Sequence, residues 1–147
     1  MSLPNFFCIG AQKSGTTLLY ELLKEIEDIY LPPIKEVHFF DEPGRYSKGL
    51  EWYTQHYFKD VEGKSAIGEI TPSYLFIEDV AKKIHDSFGK EIKFIVILRN
   101  PIERAYSQYI MRYRKKEEMY SFQDALILES SRIEESLEYK KKYSYLK

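Results

Sequence analysis

The stretch NFFCIGAQKSGTTLLYELL, residues 5–23, constrains the fold more than any other part of the chain. It joins a short apolar run, a loop with glycines at positions 10 and 15, and leucines at helical spacing. This order predicts a buried parallel strand, a glycine loop and a helix. The N–H groups of such a loop converge on one concavity, and the helix N-terminus adds partial positive charge. The sequence therefore predicts an anion site after the first strand.

The loop residues, GAQKSGTT, indicate which anion is bound. Lys13 contributes a full positive charge, and the hydroxyl groups of Thr16 and Thr17 offer further donors to phosphate oxygens. The phosphate loop of nucleoside triphosphatases, GxxxxGK followed by Ser or Thr, would place lysine at position 16, where this chain has threonine. The loop therefore favours a phosphate-bearing ligand other than a metal-bound triphosphate. A phosphate-loop kinase or triphosphatase stays open as an alternative.

Apolar runs and helical patterns alternate along the rest of the chain. Short apolar runs predict strands over residues 5–11, 65–71 and 93–98. Helical spacing predicts helices over residues 16–27, 49–58, 77–89, from 100 and from 121. The run KFIVIL at 93–98 is apolar on both faces, so we expect a central strand there. The alternation indicates an α/β fold with a parallel sheet flanked by helices, and ligands bind beyond the carboxyl ends of such strands.

Two of the predicted helices carry apolar stripes that should face a core. The stripe of the first helix comprises Leu18, Leu19, Leu22, Leu23 and Ile26. The stripe of the helix that begins near Asn100 comprises Ile102, Ala105, Tyr106, Tyr109, Ile110 and Tyr113.

A second polar motif, RNPIERAYS, follows the KFIVIL strand. Metal-dependent triphosphatases place an acidic side chain at such a strand end, whereas this strand ends in Arg99, whose guanidinium suits a phosphate. Ser107 follows eight residues later on the same predicted helix. An ion pair of Arg99 with Glu103 and a solvated serine are the alternative interpretation. Together, the two anion sites indicate a nucleotide phosphorylated at both ends of its ribose.

Five segments in order resemble one enzyme family. IGAQKSGTTLLYELL resembles the 5'-phosphosulfate loop, and VILRNPIERAYSQYIM the 3'-phosphate segment, of sulfotransferases that use 3'-phosphoadenosine-5'-phosphosulfate (PAPS). KEVHFFD, GLEWY and GEITPSYL resemble the branch that includes the heparan sulfate sulfotransferases. The resemblance runs from about Phe6 to Tyr113. It implies a phosphate-loop-like sulfotransferase fold, of which residues 1–147 form a single nucleotide-binding domain that continues beyond Lys147 in a longer protein.

The resemblance also implies which residues hold the donor nucleotide. The 5'-phosphosulfate would be held by Lys13, Ser14, Gly15, Thr16 and Thr17, and the 3'-phosphate by Arg99 and Ser107. Lys13 would also stabilise the charge that develops on the departing phosphate. PAPS is then the cosubstrate, and no metal is required, because lysine and backbone dipoles supply the positive field.

On the acceptor side, the resemblance implies that Glu36 is the catalytic base. His38 is an alternative base, since its ordinary pKa lies near neutrality, and Asp41 matches a position that lines the acceptor. A surface ion pair between Lys35 and Glu36 is the other interpretation of this glutamate. Ile70 stands where heparan-type relatives usually carry a lysine, which argues against a sulfated polysaccharide acceptor.

The composition limits the possible partners. A net charge of −1 provides no global attraction for nucleic acid or an anionic membrane, and we interpret the tail YKKKYSYLK as a solvated helix end. No stretch approaches the roughly 20 apolar residues of a membrane span, and no signal peptide precedes the first strand, so we expect a cytoplasmic protein. The expected function is sulfuryl transfer to a hydroxyl or amine of a small-molecule or carbohydrate acceptor. A non-catalytic adenosine-nucleotide-binding module is a further alternative.

Overall fold

The computed structural model describes residues 3–146 of a chain that divides into two compact units. The sheet unit comprises Met1–Ala11 and Gly15–Ile97, and the helical unit comprises Gln12–Ser14 and Leu98–Lys147. None of the helices in the described part of the chain is both long enough and apolar enough to cross a membrane.

The sheet unit contains four parallel strands in the order β2-β3-β1-β4. The strands are β1 Phe6–Gly10, β2 Ile29–Tyr30, β3 Ala66–Ile70 and β4 Lys93–Val96. The helices of this unit are α1 Thr16–Lys24, α2 Pro43–Tyr46, α3 Gly49–Tyr57 and α4 Val80–Phe88, with a 3-10 turn at Pro72–Leu75. The α/β fold with a parallel sheet flanked by helices is thus confirmed.

Alternate residues of β1 are buried in two different apolar clusters. Phe7 packs in a cluster that includes Phe40 and Val80. Phe6 and Cys8 pack in a second cluster, which also takes Tyr20 from α1. Because successive side chains of a strand point to opposite faces, β1 is covered on both sides. This strand, rather than the KFIVIL strand, is therefore the buried centre of the sheet.

The expectation of a central KFIVIL strand is wrong for the residues described. β4 pairs with β1 alone and forms an edge of the sheet, and its Phe94 and Val96 are 48% and 43% exposed. The first helix is also shorter than predicted, ending at Lys24, and its apolar stripe is only partly buried. Its exposed members are Leu18, Leu22 and Ile26. Within residues 3–146, no segment covers these apolar side chains. Their apolar character alone therefore did not predict burial correctly.

The helical unit consists of α5 Pro101–Arg114, α6 Phe122–Glu135 and α7 Leu137–Tyr143. The first two begin at caps visible in the sequence. The Asn100 side chain accepts from the N–H groups of Ile102 and Glu103, and the Ser121 hydroxyl accepts from the N–H of Asp124.

The predicted apolar stripe of α5 is wrong in part. Its buried residues are Arg104, Ala105, Gln108 and Tyr109, and its exposed residues include Ile102, Tyr106 and Tyr113. The two polar residues turn inward because they meet backbone carbonyl groups of the C-terminal segment. Nη2 of Arg104 donates to the carbonyl oxygen of Tyr145 at 2.5 Å, and Nε2 of Gln108 donates to that of Lys142 at 3.1 Å.

The prediction of a solvated helix end is wrong in part. α7 has no buried residue, but Ser144 and Tyr145, which follow it, are buried. The hydroxyl of Tyr145 donates to Oε2 of the buried Glu118 at 2.8 Å, and Arg132 donates to the same carboxylate at 2.6 Å. Tyr145 is therefore held in the core of the helical unit by a buried carboxylate.

Candidate active site

The glycine loop joins β1 to α1 through two left-handed backbone conformations. Lys13 has φ 65° and Gly15 has φ 100°. A Cβ at Gly15 would meet no atom of the described residues within 4 Å, so the dihedral angle, rather than the space, calls for glycine. No side chain of the described residues caps the N-terminus of α1, which leaves its first N–H groups available to an anion. Thr16 is buried at this end, and Thr17 is exposed.

Two polar atoms of the loop lack hydrogen-bond partners within residues 3–146. They are Oε1 of Gln12 and Oγ of Ser14, and both are buried. A buried polar atom without a partner is unfavourable by about 1–3 kcal/mol. The loop therefore has polar capacity to bind a ligand, and Ser14 is one of the residues predicted to do so. Gln12 was not predicted.

An open cavity of about 480 Å³ in the helical unit contains two residues from separate sequence motifs. Lys13, from the glycine loop, and Ser107, from the RNPIERAYS segment, both line it. Nζ of Lys13 also contacts Sδ of Met111 in α5 at 3.7 Å. The volume falls within the range of about 300–1,000 Å³ that small-molecule sites occupy.

Arg99 contacts both the loop and its own helix. Its Nη1 lies 3.4 Å from the carbonyl oxygen of Lys13, and its Nε donates to Oε2 of Glu103 at 3.1 Å. The ion pair with Glu103 is exposed, so it holds the guanidinium by less than about 1 kcal/mol. The alternative interpretation of Arg99 as an ion-paired residue is thus correct as geometry, but a phosphate could displace so weak a partner.

Several cavity residues were not predicted from sequence. They are Tyr106, Ile110, Met111, Arg114 and Lys115. Positions 107, 111 and 114 follow the spacing of four and three residues that shares one helix face. Projecting α5 from Ser107 could therefore have identified Met111 and Arg114.

In the sheet unit, residues 36–41 bring Glu36, His38 and Asp41 together. Nδ1 of His38 lies 3.0 Å from Oδ2 of Asp41, which is buried. Because a carboxylate only accepts, Nδ1 donates to Asp41 in the tautomer that carries a proton on this nitrogen. Nε2 of the same ring lies 3.6 Å from Oε2 of Glu36, an ion-pair distance. The two candidate bases are therefore neighbours.

The electrostatic state of Glu36 is set by Lys35 and His38. Burial alone would raise the pKa of Glu36, but the contacts with His38 and Lys35 outweigh it and lower the pKa to about 2. Nζ of Lys35 donates directly to Oε1 of Glu36. The predicted alternative of a lysine–glutamate ion pair is thus present, and Glu36 is ionised at neutral pH.

A phosphate-loop kinase or triphosphatase needs an acidic side chain near a strand end, and the candidate in this sequence is Glu69. Glu69 is fully buried. Oε1 of its carboxylate accepts from Thr71 at 2.6 Å and from Tyr74 at 2.7 Å, and Oε2 accepts from Tyr53. Burial raises the pKa of Glu69, and the three hydroxyl groups oppose that shift. A carboxylate so occupied by hydroxyl groups does not present itself to a metal ion's water shell.

Ile70, the residue that departs from the heparan-type pattern, lies in the core. It is 2% exposed and packs with Phe6, Cys8 and Leu31. An apolar side chain therefore fits this buried position.

Comparison with known proteins identifies similar sequences and similar solved structures. A family model described as Sulfotransferase domain matches residues 3–143. The chain is 34% identical over 142 residues to the membrane-associated sulfotransferase kil1 of Dictyostelium discoideum. This match covers 91% of this chain and 30% of kil1. It is 32% identical over 142 residues to heparan sulfate glucosamine 3-O-sulfotransferase 5 of Homo sapiens. This match covers 94% of this chain and 40% of the human protein.

The crystal structure of a sulfotransferase from Alicyclobacillus acidocaldarius matches this fold with a TM-score of 0.83 at 34% identity. The match covers 99% of this chain and 64% of that one. The chain thus spans 30% and 40% of the length of the two sequence relatives.

Proposed function

Because the chain belongs to the sulfotransferase domain family, we propose that it uses PAPS to transfer a sulfuryl group to a hydroxyl or amine. One observation carries the proposal. Lys13 and Ser107, which the sequence assigned to opposite ends of the nucleotide, line the same cavity of about 480 Å³. The cavity thus brings a cation and a hydroxyl group from the two motifs within reach of one ligand.

The donor side of the proposal is a set of positive groups. Lys13 and the uncapped N-terminus of α1 attract the 5'-phosphosulfate, and the orphaned hydroxyl of Ser14 gains a partner there. Arg99 and Ser107 bind the 3'-phosphate. The bound donor supplies the activated sulfuryl group, while these residues orient it and neutralise its charge without a metal.

On the acceptor side, Glu36 receives the proton of the acceptor hydroxyl or amine. A carboxylate with a pKa of about 2 is a weak base. The transfer therefore becomes favourable only as the acceptor oxygen forms its bond to sulfur and its own proton becomes acidic. His38, held by Asp41 and 3.6 Å from Glu36, is the alternative base.

The acceptor in this proposal is a small molecule or a carbohydrate. One sequence relative is a heparan sulfate glucosamine 3-O-sulfotransferase, which supports a carbohydrate. Ile70, which stands where the resemblance expects a lysine, argues against a sulfated polysaccharide acceptor. The compartment remains a proposal as well. The sequence predicts a cytoplasmic protein, whereas one relative is membrane-associated.

Calorimetric titration tests the donor assignment. The ligands are 3',5'-adenosine bisphosphate, adenosine 5'-monophosphate and ATP, each with and without magnesium. We expect metal-independent preference for the bisphosphate, because it alone engages both phosphate sites. Magnesium-dependent binding of ATP would support the kinase alternative instead.

A transfer assay then separates an enzyme from a binding module. The chain is incubated with PAPS and a panel of hydroxyl and amine acceptors, and sulfated product is measured. Binding of the bisphosphate without turnover on any acceptor would favour the non-catalytic module.

A further inference from the structure

The buried carboxylate of Glu69 is a feature that sulfuryl transfer does not itself explain. It lies in β3 with no exposed surface and accepts from three hydroxyl groups, those of Thr71, Tyr74 and Tyr53. Burying a carboxylate is unfavourable unless hydrogen bonds compensate it. The three donors compensate the carboxylate, and it in turn fixes the direction of their hydroxyl groups.

The hydroxyl of Tyr74 links Glu69 to residues 36–41. Its proton is donated to Glu69 at 2.7 Å, and its oxygen accepts from the backbone N–H groups of Phe39 at 2.9 Å and Phe40 at 3.2 Å. A hydroxyl has one proton and two lone pairs, so all of its capacity is used. Because Glu69 takes the proton, both lone pairs are directed to the loop.

Residues 36–41 need such support because their backbone is strained. Glu36 has φ 62° and His38 has φ 52°, a left-handed region that residues with a Cβ avoid unless their surroundings impose it. Two further contacts from the same side hold this loop. The N–H of Glu36 donates to the carbonyl oxygen of Ile70 at 3.1 Å, and Oγ of Ser73 donates to Oδ2 of Asp41 at 2.5 Å.

We propose that Glu69 is a positioning residue for sulfuryl transfer, acting through Tyr74. Its carboxylate orients the Tyr74 hydroxyl. That hydroxyl holds residues 36–41 in the conformation in which Glu36 and His38 are left-handed and placed to act on the acceptor. The catalytic meaning of this role rests on the proposed function. The effect of Tyr74 on the conformation of residues 36–41 does not depend on the proposed function, and it can be measured without turnover.

The chain offers a matched pair of variants. Tyr53 and Tyr74 are both buried and both donate to Glu69, but only the Tyr74 oxygen accepts from Phe39 and Phe40. Tyr74→Phe therefore removes the loop contact and one donor to Glu69, whereas Tyr53→Phe removes a donor alone.

The first readout is amide hydrogen exchange by NMR on the whole chain. In Tyr74→Phe we expect exchange at Phe39 and Phe40 to accelerate about tenfold, and in Tyr53→Phe to stay within about twofold of the parent. Amides of Ile84 in α4 serve as the internal control. Equal acceleration at Phe39 and Phe40 in both variants would overturn the proposal.

The second readout is steady-state kinetics, which separates positioning from general destabilisation. Tyr74→Phe should lower kcat about tenfold while the KM for the donor stays unchanged, and Tyr53→Phe should alter neither beyond about twofold. Parallel losses of kcat in the two variants would contradict a role through Tyr74. A parent chain that transfers no sulfuryl group would refute the proposed function. The exchange rates at Phe39 and Phe40 would still show whether Tyr74 holds residues 36–41.

Glu69→Gln replaces Tyr74→Phe should that variant fail to fold. Glutamine keeps the side-chain volume but replaces one acceptor oxygen with a donor amide group. The hydrogen bond from the Tyr74 hydroxyl is therefore weakened or lost. We expect the same faster exchange at Phe39 and Phe40. Unchanged exchange there would refute the positioning role.

Discussion

Nη1 of Arg99 lies 3.4 Å from the carbonyl oxygen of Lys13, although 86 residues separate them in the chain. Arg99 follows β4, and Lys13 follows β1. The polar motifs that follow these two strands are therefore in direct contact.

Arg99→Ala should weaken binding of 3',5'-adenosine bisphosphate about 10- to 100-fold, because a charge-assisted phosphate contact contributes about 1.5–3 kcal/mol. Binding of adenosine 5'-monophosphate should not change, and calorimetry measures both. Glu103→Gln is the control, since it removes the ion pair but keeps the guanidinium. Equal losses for both nucleotides would refute a 3'-phosphate site at Arg99.

Lys13→Ala should lower turnover about 10²- to 10³-fold, the usual effect of removing one group that stabilises developing negative charge. Binding of 3',5'-adenosine bisphosphate should weaken as well. Lys82→Ala, which alters an exposed ion pair with Asp86 far from the loop in sequence, is the control. Activity that survives the loss of Lys13 would show that its assigned role is wrong.

Glu36→Gln should lower kcat about 10²- to 10⁴-fold, as expected for the loss of a general base, with nucleotide affinity unchanged. The measurement is a transfer assay paired with calorimetry. His38→Gln is the companion variant. A large loss in His38→Gln beside normal activity in Glu36→Gln would identify the histidine as the base.

Lys35→Met should raise the pKa of Glu36 from about 2 toward its ordinary 4.5, because it removes a hydrogen bond and a positive charge. NMR titration of the Glu36 side-chain carboxyl measures the shift. The direction of the effect on folding stability follows from the coupling between protonation and folding. A carboxyl with a lowered pKa stabilises the folded state above pH 4.5, and that contribution is lost as the pH falls through about 2.

The acid unfolding of Lys35→Met should therefore begin at a higher pH than that of the parent chain. Lys24→Met, which removes an exposed ion pair with Glu21, is the control and should leave the Glu36 titration unchanged. A Glu36 pKa that is the same in Lys35→Met and the parent would contradict this account.

Arg132→Met should destabilise the helical unit by about 3–5 kcal/mol, because it leaves the buried Glu118 carboxylate without its cation. Urea unfolding followed at the Tyr145 amide measures the change. Arg99→Met breaks an exposed ion pair in the same unit and should change stability by less than about 1 kcal/mol. Similar effects of the two substitutions would refute a buried ion pair at Glu118.

Although β2 and α2 were not predicted, the sequence by itself was enough to predict three of the four strands, most of the longer helices and the glycine loop. These features depend on neighbours a few residues apart, as the Asn100 cap and the left-handed Gly15 illustrate. It also indicated that Lys13 and Ser107 serve one ligand, because parallel strands bring their carboxyl ends to one edge. Both residues line one cavity, and their binding of one ligand stays a prediction.

Only the tertiary structure decided which apolar residues are buried. KFIVIL was expected at the centre of the sheet but forms an edge, and α5 turns Arg104 inward while Ile102 is exposed. Apolar character says that a side chain would gain from burial. Whether it is buried depends on which distant segment covers it, as the tail around Tyr145 does for α5.

The same reason applies to the conformation of residues 36–41. Nothing in the local sequence KEVHFFD requires Glu36 and His38 to be left-handed, and their side chains alone disfavour it. This segment makes hydrogen bonds with Ile70, Ser73 and Tyr74, more than 30 residues away. The sequence thus determined which residues are candidates for the chemistry, and only the tertiary structure shows the non-local hydrogen bonds that residues 36–41 make.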